Sequence, residues 1–532
     1  MKLLVKLLPC FFVFNLHAQQ IAPTIQWQTL LGGTAGDFGS SIIETSSGDF
    51  LAIGQTESID FAVNNNHGSV DVWLTKFNSQ GDLKWAKCYG GSRGDGIRGF
   101  DAVKEAFDGG YVFAGLASSP NGDVATVHDT ILGDCWIVKT DSSGTIEWEK
   151  TFGTSLDDAA YAILQTEDSG FIFTGHTTTN DGDVTNWHAN INAPYDIWVV
   201  KLSKNGILEW QKCYGGSNND IPQAILKTND GNYVIAGRSQ STDGDVMDHH
   251  GVSLNYDVWI AKINQSGTIL WSRSIGGSAN ETLGDIKELA DSSFVISLTN
   301  GSTDGDFINI PRNYEVCLFH LDKNGHITWN KHYGGSRSDV AKGLLVSKEG
   351  GYITMATSYS DDGDVGFHYG DTNATDVWIF KTNDTGQFIW GRVLGGSNID
   401  APGDIFQCAD SNYAFCGFTA STDGDLSQLI NFGNDDLWAL KFSRHGTLVP
   451  TQSINSKISV YPTFNNGTVF IESSSILTSQ VHILDILGRT IAVKKHPYSQ
   501  NVLMISDLPS GALVIEVVND NFRQAFKVFV QK

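Results

Sequence analysis

"WEKTFGTSLDDAAYAILQTEDSGFIFTGHTTTNDGDVTNWHANINAPYDIWVVKLSKNGILEW" occupies residues 148–210 and holds one unit of a plan that recurs along the chain. Four short apolar or alternating segments stand in it and just beyond: AYAILQT, FIFTGHT, DIWVVKL and ILEWQKCY. Each has strand length and is bounded by turn residues, so they read as strands A, B, C and D of one sheet. The tryptophans give the period. Trp27, Trp85, Trp148, Trp210, Trp271, Trp329 and Trp390 follow one another at intervals of 58, 63, 62, 61, 58 and 61 residues. Self-similarity over such a length marks a repeat array.

The connections sharpen this reading. Strands A and B are joined by pairs such as Asp108-Gly109, Asp230-Gly231, Glu349-Gly350 and Asp410-Ser411, hairpin turns that tolerate positive φ. The C–D connections end in Gly81, Gly144, Gly206, Gly267, Gly325, Gly386 and Gly446. A Trp follows each by four residues, except after Gly446, where Pro450 stands. The last repeat therefore lacks a strand D, while "TIQWQTLLGG" (24–33) is a strand D with no repeat before it. Pairing the two closes a ring and removes exposed sheet edges. The reading is all-β: a seven-bladed β-propeller closed by an N-terminal strand. An open solenoid would need capping repeats, and the sequence has none. Thirteen of the fourteen Trp fall in strands C and D and read as packing between blades, with Cys317 at the seventh strand-C place.

With 57 Gly against 11 Pro in 532 residues, the composition suits many short strands joined by glycine turns. The net charge of −24 argues against a nucleic-acid partner. "MKLLVKLLPCFFVFNLHAQQ" (1–20) reads as a secretory signal peptide cleaved after Ala18. Its apolar run is too short to span a bilayer, and no transmembrane segment is expected elsewhere. Cys88, Cys135, Cys213, Cys317, Cys408 and Cys416 fall inside apolar strand patterns, mostly in different repeats, and read as buried free thiols.

In an up-and-down blade the A–B and C–D turns share one face, and the B–C loops and D–A crossovers share the other. The second face collects acids. Ten residues after each strand-D Trp stands Asp37, Asp95, Asp158, Asp220, Glu281, Asp339 or Asp400. In five blades the last Asp of an Asp-Gly-Asp motif follows 25 residues later: Asp183, Asp245, Asp306, Asp364 and Asp425, with Asp123 and Asp60 as shifted equivalents. A carboxylate repeated in this way reads first as a turn fastener. Calcium is the candidate cofactor, with Asp183, Asp245, Asp364 and Asp425 as candidate ligands beside the acids before strand C, Asp196, Asp257 and Asp376. Asp-Gly-Asp supplies two carboxylates at best, short of the usual six to eight oxygens. Beyond it the loops diverge and carry individual residues: Trp187, His188, His249, His250, Arg312, His368 and Tyr369. Loops on a rigid scaffold are where recognition sits. Trp187, His188, His249, His250, His368 and Tyr369 are the candidate ligand-binding residues, Trp187 as a stacking platform. Arg98 reads as a partner of Asp95.

Residues 453–532 break the period and read as a small all-β domain. Tyr461-Pro462, Asp485 with Gly488-Arg489, and Leu508-Pro509 with Gly511 follow the order of a family pattern. This segment resembles the type A C-terminal sorting domain of type IX secretion cargo, with Thr463-Phe464 and Ala512-Leu513 departing from it. The resemblance implies a small β-sandwich, recognition by the type IX machinery through Pro462, Asp485, Gly488, Arg489, Leu508, Pro509 and Gly511, Sec export, and passage across the outer membrane. The repeats are also similar to those of uncharacterised secreted bacterial propellers, which brings no activity. "DSSGTIEW" (141–148) is similar to the tryptophan-docking motif of quinoprotein propellers, but the adjacent cysteine pair of that family is absent.

The expected organisation is thus a signal peptide (1–18), a propeller (19–452) and a sorting domain (453–532). The expected function is binding of a glycan or protein ligand at the cell surface or outside the cell. The alternative is an extracellular carbohydrate-active hydrolase or lyase using carboxylates of the acidic loop face. Periodic acids with no triad or phosphate loop favour binding and leave enzymatic activity open.

Overall fold

Strand C is buried along its whole length in six of the seven repeats, as in Asp196–Leu202 and Asp257–Ile263, and the seventh departs only at His320. A strand with no exposed face must lie between two layers, which in this chain are its neighbouring blades. Strand D, as in Leu208–Tyr214, is partly exposed along its first five residues and buried only at its last two. That suits the outer edge of a ring. The computed structural model describes residues 23–444, apart from 129–130, 252–253, 309, 311–313 and 372. In the C-terminal part it describes 458–461, 464–465, 469–473, 480–485, 490–495, 502–506, 508–519 and 522–530. The signal-peptide reading and Arg312 lie outside these residues.

Seven antiparallel sheets form in order A-B-C-D, from the blade Asp37–Glu44, Phe50–Thr56, Asp71–Phe77, Leu83–Tyr89 onward. In the seventh, Asp400–Gln407, Tyr413–Thr419 and Asp436–Phe442 are completed by Ile25–Leu31 from the other end of the chain. Leu30 stands opposite Trp438 and Leu31 opposite Leu437. The ring closes as the sequence predicts.

The Trp and Gly periodicities turn out to be two halves of one contact. A Cβ on Gly206, at the C–D turn of blade three, would stand 2.9 Å from the ring of Trp148 in blade two. Gly81 with Trp27, Gly325 with Trp271 and Gly386 with Trp329 repeat this. In these pairs the strand-D indole lies on the next blade's turn, where only a glycine leaves room. Tyr89 and Tyr214 add a hydroxyl bond to the carbonyls of Gly144 and Gly267, both at 2.6 Å. The strand-C Trp are fully buried between blades. On this turn face a strand-C lysine also holds the A–B turn of its own blade: Lys201 to Asp168 at 2.9 Å, Lys262 to Asp230 at 2.7 Å, and Lys441 to Asp410 at 2.7 Å. A hollow of about 370 Å³ between blades three and four is lined by these repeat positions, including Lys201, Asp168 and Trp210.

The chain divides into two compact units, Met1–Gly446 and Thr447–Lys532. The second has a sheet of three strands and one of five, with Val481, Ile483, Ile505, Leu508, Leu513, Ile515, Val528 and Val530 in its core. Among the described residues, Cys88, Cys135, Cys213, Cys317, Cys408 and Cys416 are buried free thiols.

Candidate functional site

The "STDGDV" stretch (241–246) grips the crossover "YGGSNND" (214–220) of its own blade. The Ser241 hydroxyl donates to Asp220 at 2.8 Å and accepts the Asn218 N–H at 3.0 Å. The Asp243 carboxylate accepts the Ser217 N–H at 2.7 Å, and the Asp245 N–H donates to the Gly215 carbonyl at 2.8 Å. Gly244 sits at φ +65°, where a side chain is strained. The same clamp forms in blade seven through Ser421, Asp423 and Asp425. In blade two Asn121 takes the first acid's role and Asp123 the second's. In blade one Asp60 binds the Thr34 N–H and so occupies the first place, not the second as its spacing suggests, and Ala62 supplies the other amide.

The ring of acids at the start of strand A is wholly buried and spent on this clamp. Asp400 accepts from the Gly396 N–H at 2.8 Å and the Ser421 hydroxyl at 2.9 Å, and also bonds the Thr419 hydroxyl. Burial lifts Asp220 and Glu281 to about 7 and Asp158 and Asp400 to about 6, although these hydrogen bonds pull the other way. A second buried ring opens strand C. One oxygen of each of Asp71, Asp196, Asp257, Asp376 and Asp436 is buried with no hydrogen-bond partner, a costly arrangement for a polar atom. Burial takes Asp376 to about 7 and Asp436 to about 6.

The histidines of the variable loops meet this second ring. His188 places its N–H 2.6 Å and its Nδ1 3.2 Å from Asp196. His250 does the same with Asp257 at 2.7 and 3.0 Å, and its Nε2 lies 3.7 Å from Asp306 of the next blade. Tyr369 gives its N–H to Asp376 at 2.6 Å and its hydroxyl to Asp425 at 3.4 Å. His67 and His128 hold the matching places on Asp71 and Asp134. Loops of unequal length had concealed a repeat position. His249 donates through Nε2 to the Asn255 carbonyl at 3.2 Å, and the His368 side chain is buried 3.7 Å from Asp376. Trp187 is half-buried, and its indole N–H donates to the Pro194 carbonyl at 2.8 Å. No hydrogen bond or ion pair among the described residues joins the Trp187–His188, His249–His250 and His368–Tyr369 pairs to one another. Among the described residues no group of three or more His, Cys, Asp or Glu is disposed to hold a metal ion, Asp183, Asp245, Asp364 and Asp425 included.

Blade two breaks the pattern. Eleven residues separate the strand-A acid from the second residue of the A–B turn in six blades, as from Asp220 to Gly231, but fourteen separate Asp95 from Gly109. The added residues split strand A into Asp95–Gly96 and Val103–Glu105 and push Arg98, Phe100 and Asp101 inward. Phe100 reaches the Lys342 ammonium of blade six, 5.3 Å from its ring centroid. Asp101 pairs with Lys104 and raises Asp404 of blade seven, which burial already takes to about 7. The inserted segment thus crosses the central channel. Asp95 is fully engaged by Gly91, Ser118 and Ser119, so Arg98 is not its partner, contrary to expectation.

At the loop-face end of the channel, beside Arg98, stands a cluster particular to blades three and four. His176 lies between the Tyr161 hydroxyl and Asp157, 3.3 Å from each, and the Tyr195 hydroxyl reaches Asp157 at 3.5 Å. Burial raises Asp157, but His176 and the Arg98 charge outweigh it and leave the carboxyl below its usual range. Burial takes the Tyr161 phenol up to about 12. The Arg238 guanidinium lies over the Tyr256 ring at 4.7 Å. Reading each motif alone missed this cluster. The fourteen-residue interval in blade two was the signal that could have found it.

Residues 459–531 match the family model of the secretion system C-terminal sorting domain. The chain ends in a sorting domain. The sorting domain implies export to the cell surface or the extracellular space and handling by the type IX machinery. Its Leu508 is buried at 2 % exposure, Pro509 is exposed, and Gly511 opens the strand Gly511–Asn519 at φ +126°. Asp485 ends the strand Gln480–Asp485, and Pro462, Gly488 and Arg489 lie outside the described residues.

No curated protein matches the chain. Among solved structures it is similar to a protein of unknown function from Dyadobacter fermentans, at 9 % identity over 79 % of this chain and 99 % of that one, TM-score 0.41. It is similar to the Pan2 WD40 domain of Neurospora crassa, at 11 % identity over 78 % and 96 %, TM-score 0.40. It is also similar to YCF48 bound to D1 peptide, at 10 % identity over 80 % and 98 %, TM-score 0.38. Among the described residues no helix is long and apolar enough to cross a membrane.

Proposed function

We propose that the propeller is a binding protein of the cell exterior that takes a glycan or protein ligand on its loop face, at the end of the central channel. The observation that carries this reading is the blade-two insertion. Six blades keep one length for strand A, and the seventh departs from it only to send Arg98, Phe100 and Asp101 into the channel. Phe100 and Asp101 make contacts within the ring, but Arg98 is exposed with no ion pair among the described residues, and the other blades close without it. The side chains beside it differ from blade to blade and mix aromatic faces with opposite charges, the makeup of a recognition surface. Sec export through the 1–18 signal and outer-membrane passage directed by the sorting domain would deliver the propeller to its ligand.

A glycan array probed with the exported chain tests this, with a second protein lacking residues 98–100. Deleting them returns blade two to the common length. Binding by the native chain and its loss in the shortened one, at unchanged melting temperature, is the expected result. Equal binding by both would move the ligand away from the channel.

The alternative, a carbohydrate-active hydrolase or lyase, draws on the Tyr161–His176–Asp157 chain, which has the order of an acid–base relay. New reducing ends or unsaturated products from a bound polysaccharide would shift the reading to it.

A further inference from the structure

We infer that the channel end between blades two, three and four binds the carboxylate of an acidic sugar, a single uronic acid closing a glycan chain. This rests on the reading of the propeller as a binding protein. Arg98 and Arg238 carry the inference. Neither makes an ion pair or a side-chain hydrogen bond among the described residues, whereas Arg273 and Arg392 of the same face are taken by Asp306 and Asp425 at 3.6 and 3.4 Å. Arg238 is held over Tyr256, 4.7 Å from the ring centroid, which leaves its N–H groups for an incoming anion. Gly99 packs against the Tyr161 backbone, which sets Arg98 beside that tyrosine, and the charges of Arg98 and Arg238 both act on its phenol. A guanidinium with free N–H groups matches the two oxygens of a carboxylate.

The rest of the cluster suits a sugar better than a peptide terminus. Asp157 spends one oxygen on His176 and Tyr195, and the other can accept from a ligand hydroxyl. Tyr195 is half-buried and offers aromatic surface to a pyranose, while its neighbour Tyr256 carries Arg238. The chain as a whole carries a net charge of −24, which opposes a polyanion and favours one terminal acid.

The test is calorimetric titration of the full exported chain with a xylo-oligosaccharide carrying one terminal glucuronic acid. The same oligosaccharide with that carboxyl reduced to the alcohol is the comparison. The acidic sugar should bind, and the reduced one should bind at least about tenfold more weakly. Arg98→Gln and Arg238→Gln should each lower affinity by about tenfold at unchanged melting temperature, while Arg273→Gln should not. Equal affinity for the two sugars would overturn the inference and leave glycan binding standing. Unchanged affinity in both arginine variants would also overturn it. If neither sugar binds, the inference fails, and binding of another glycan by the same preparation would show that the broader reading survives.

Discussion

The Gly215 carbonyl accepts the Asp245 N–H at 2.8 Å and lies 2.3 Å from where a Cβ on Gly244 would stand. The two facts compete. The closeness that makes the bond also forbids any side chain one residue earlier, and the positive φ of Gly244 adds strain to the clash. Gly244→Ala should therefore cost about 2–4 kcal/mol, the range for incompatible backbone positions. Urea unfolding of the variant checks this. A loss within experimental scatter would mean the crossover can move away from the loop, and the clamp would lose its standing as a fastener.

Trp187 is tied to its own loop through Pro194. Trp187→Phe keeps the ring and removes the indole N–H, so it should cost about 1 kcal/mol of stability and leave ligand affinity unchanged. Thermal melts and the same glycan array read the two effects separately. Lost binding with intact stability would return Trp187 to the role of a stacking platform.

The buried acids set the pH dependence. Asp158, Asp400 and Asp436 titrate at about 6, and Asp220, Glu281 and Asp376 at about 7, in each case chiefly through burial. In the unfolded chain such groups titrate near 4. Between these values the folded state holds more protons, so stability is full below about pH 4 and falls as pH rises toward 7. His188 and His250, raised by their bonds to Asp196 and Asp257, act in the same sense at higher pH. Asp168, which its Thr166 bond brings down to about 2, acts in the opposite sense and loses its contribution only in stronger acid. The melting temperature should be higher at pH 5 than at pH 8. The reverse order would show that the rings are ionised inside the fold.

The Asp-Gly-Asp loops hold their crossovers with backbone N–H groups and carboxylates already in use. Ligand binding should therefore survive EDTA, measured on the array with calcium present and then removed. A calcium requirement would assign Asp183, Asp245, Asp364 and Asp425 to a metal and not to the clamp.

The ring was legible because its signals are backbone signals. Turn glycines, strand alternation and the displaced strand D before Gly33 are local facts, and closure follows from counting them. The pairing of each strand-D Trp with the next blade's glycine was not legible, since it joins residues about 58 positions apart, as for Trp148 and Gly206. His188 and His250 looked particular to their loops because they stand at different distances from Asp196 and Asp257, eight and seven residues before them. Their common place is fixed by a carboxylate that the spacing cannot reveal. The channel-end cluster draws on the strand-A insertion of blade two and on blades three and four, where His176 and Arg238 hold one repeat position and Tyr195 and Tyr256 another, but the first of these positions changes residue type from blade to blade.

The clasp of blade seven joins Thr24 to Ser443, 419 positions away, with Ile25 facing Phe442. Synthesis therefore delivers one half of the clasp almost at once and the other only near the end. Until then blade seven lacks a member, and a bare strand waits at the start of the chain. Loop closure over such a span is slow compared with building a single hairpin. Completion of the ring thus reports that synthesis has passed strand C of blade seven. A product cut short before residue 436 would keep its sheets but never its circle, and its unpaired edges would mark it as unfinished.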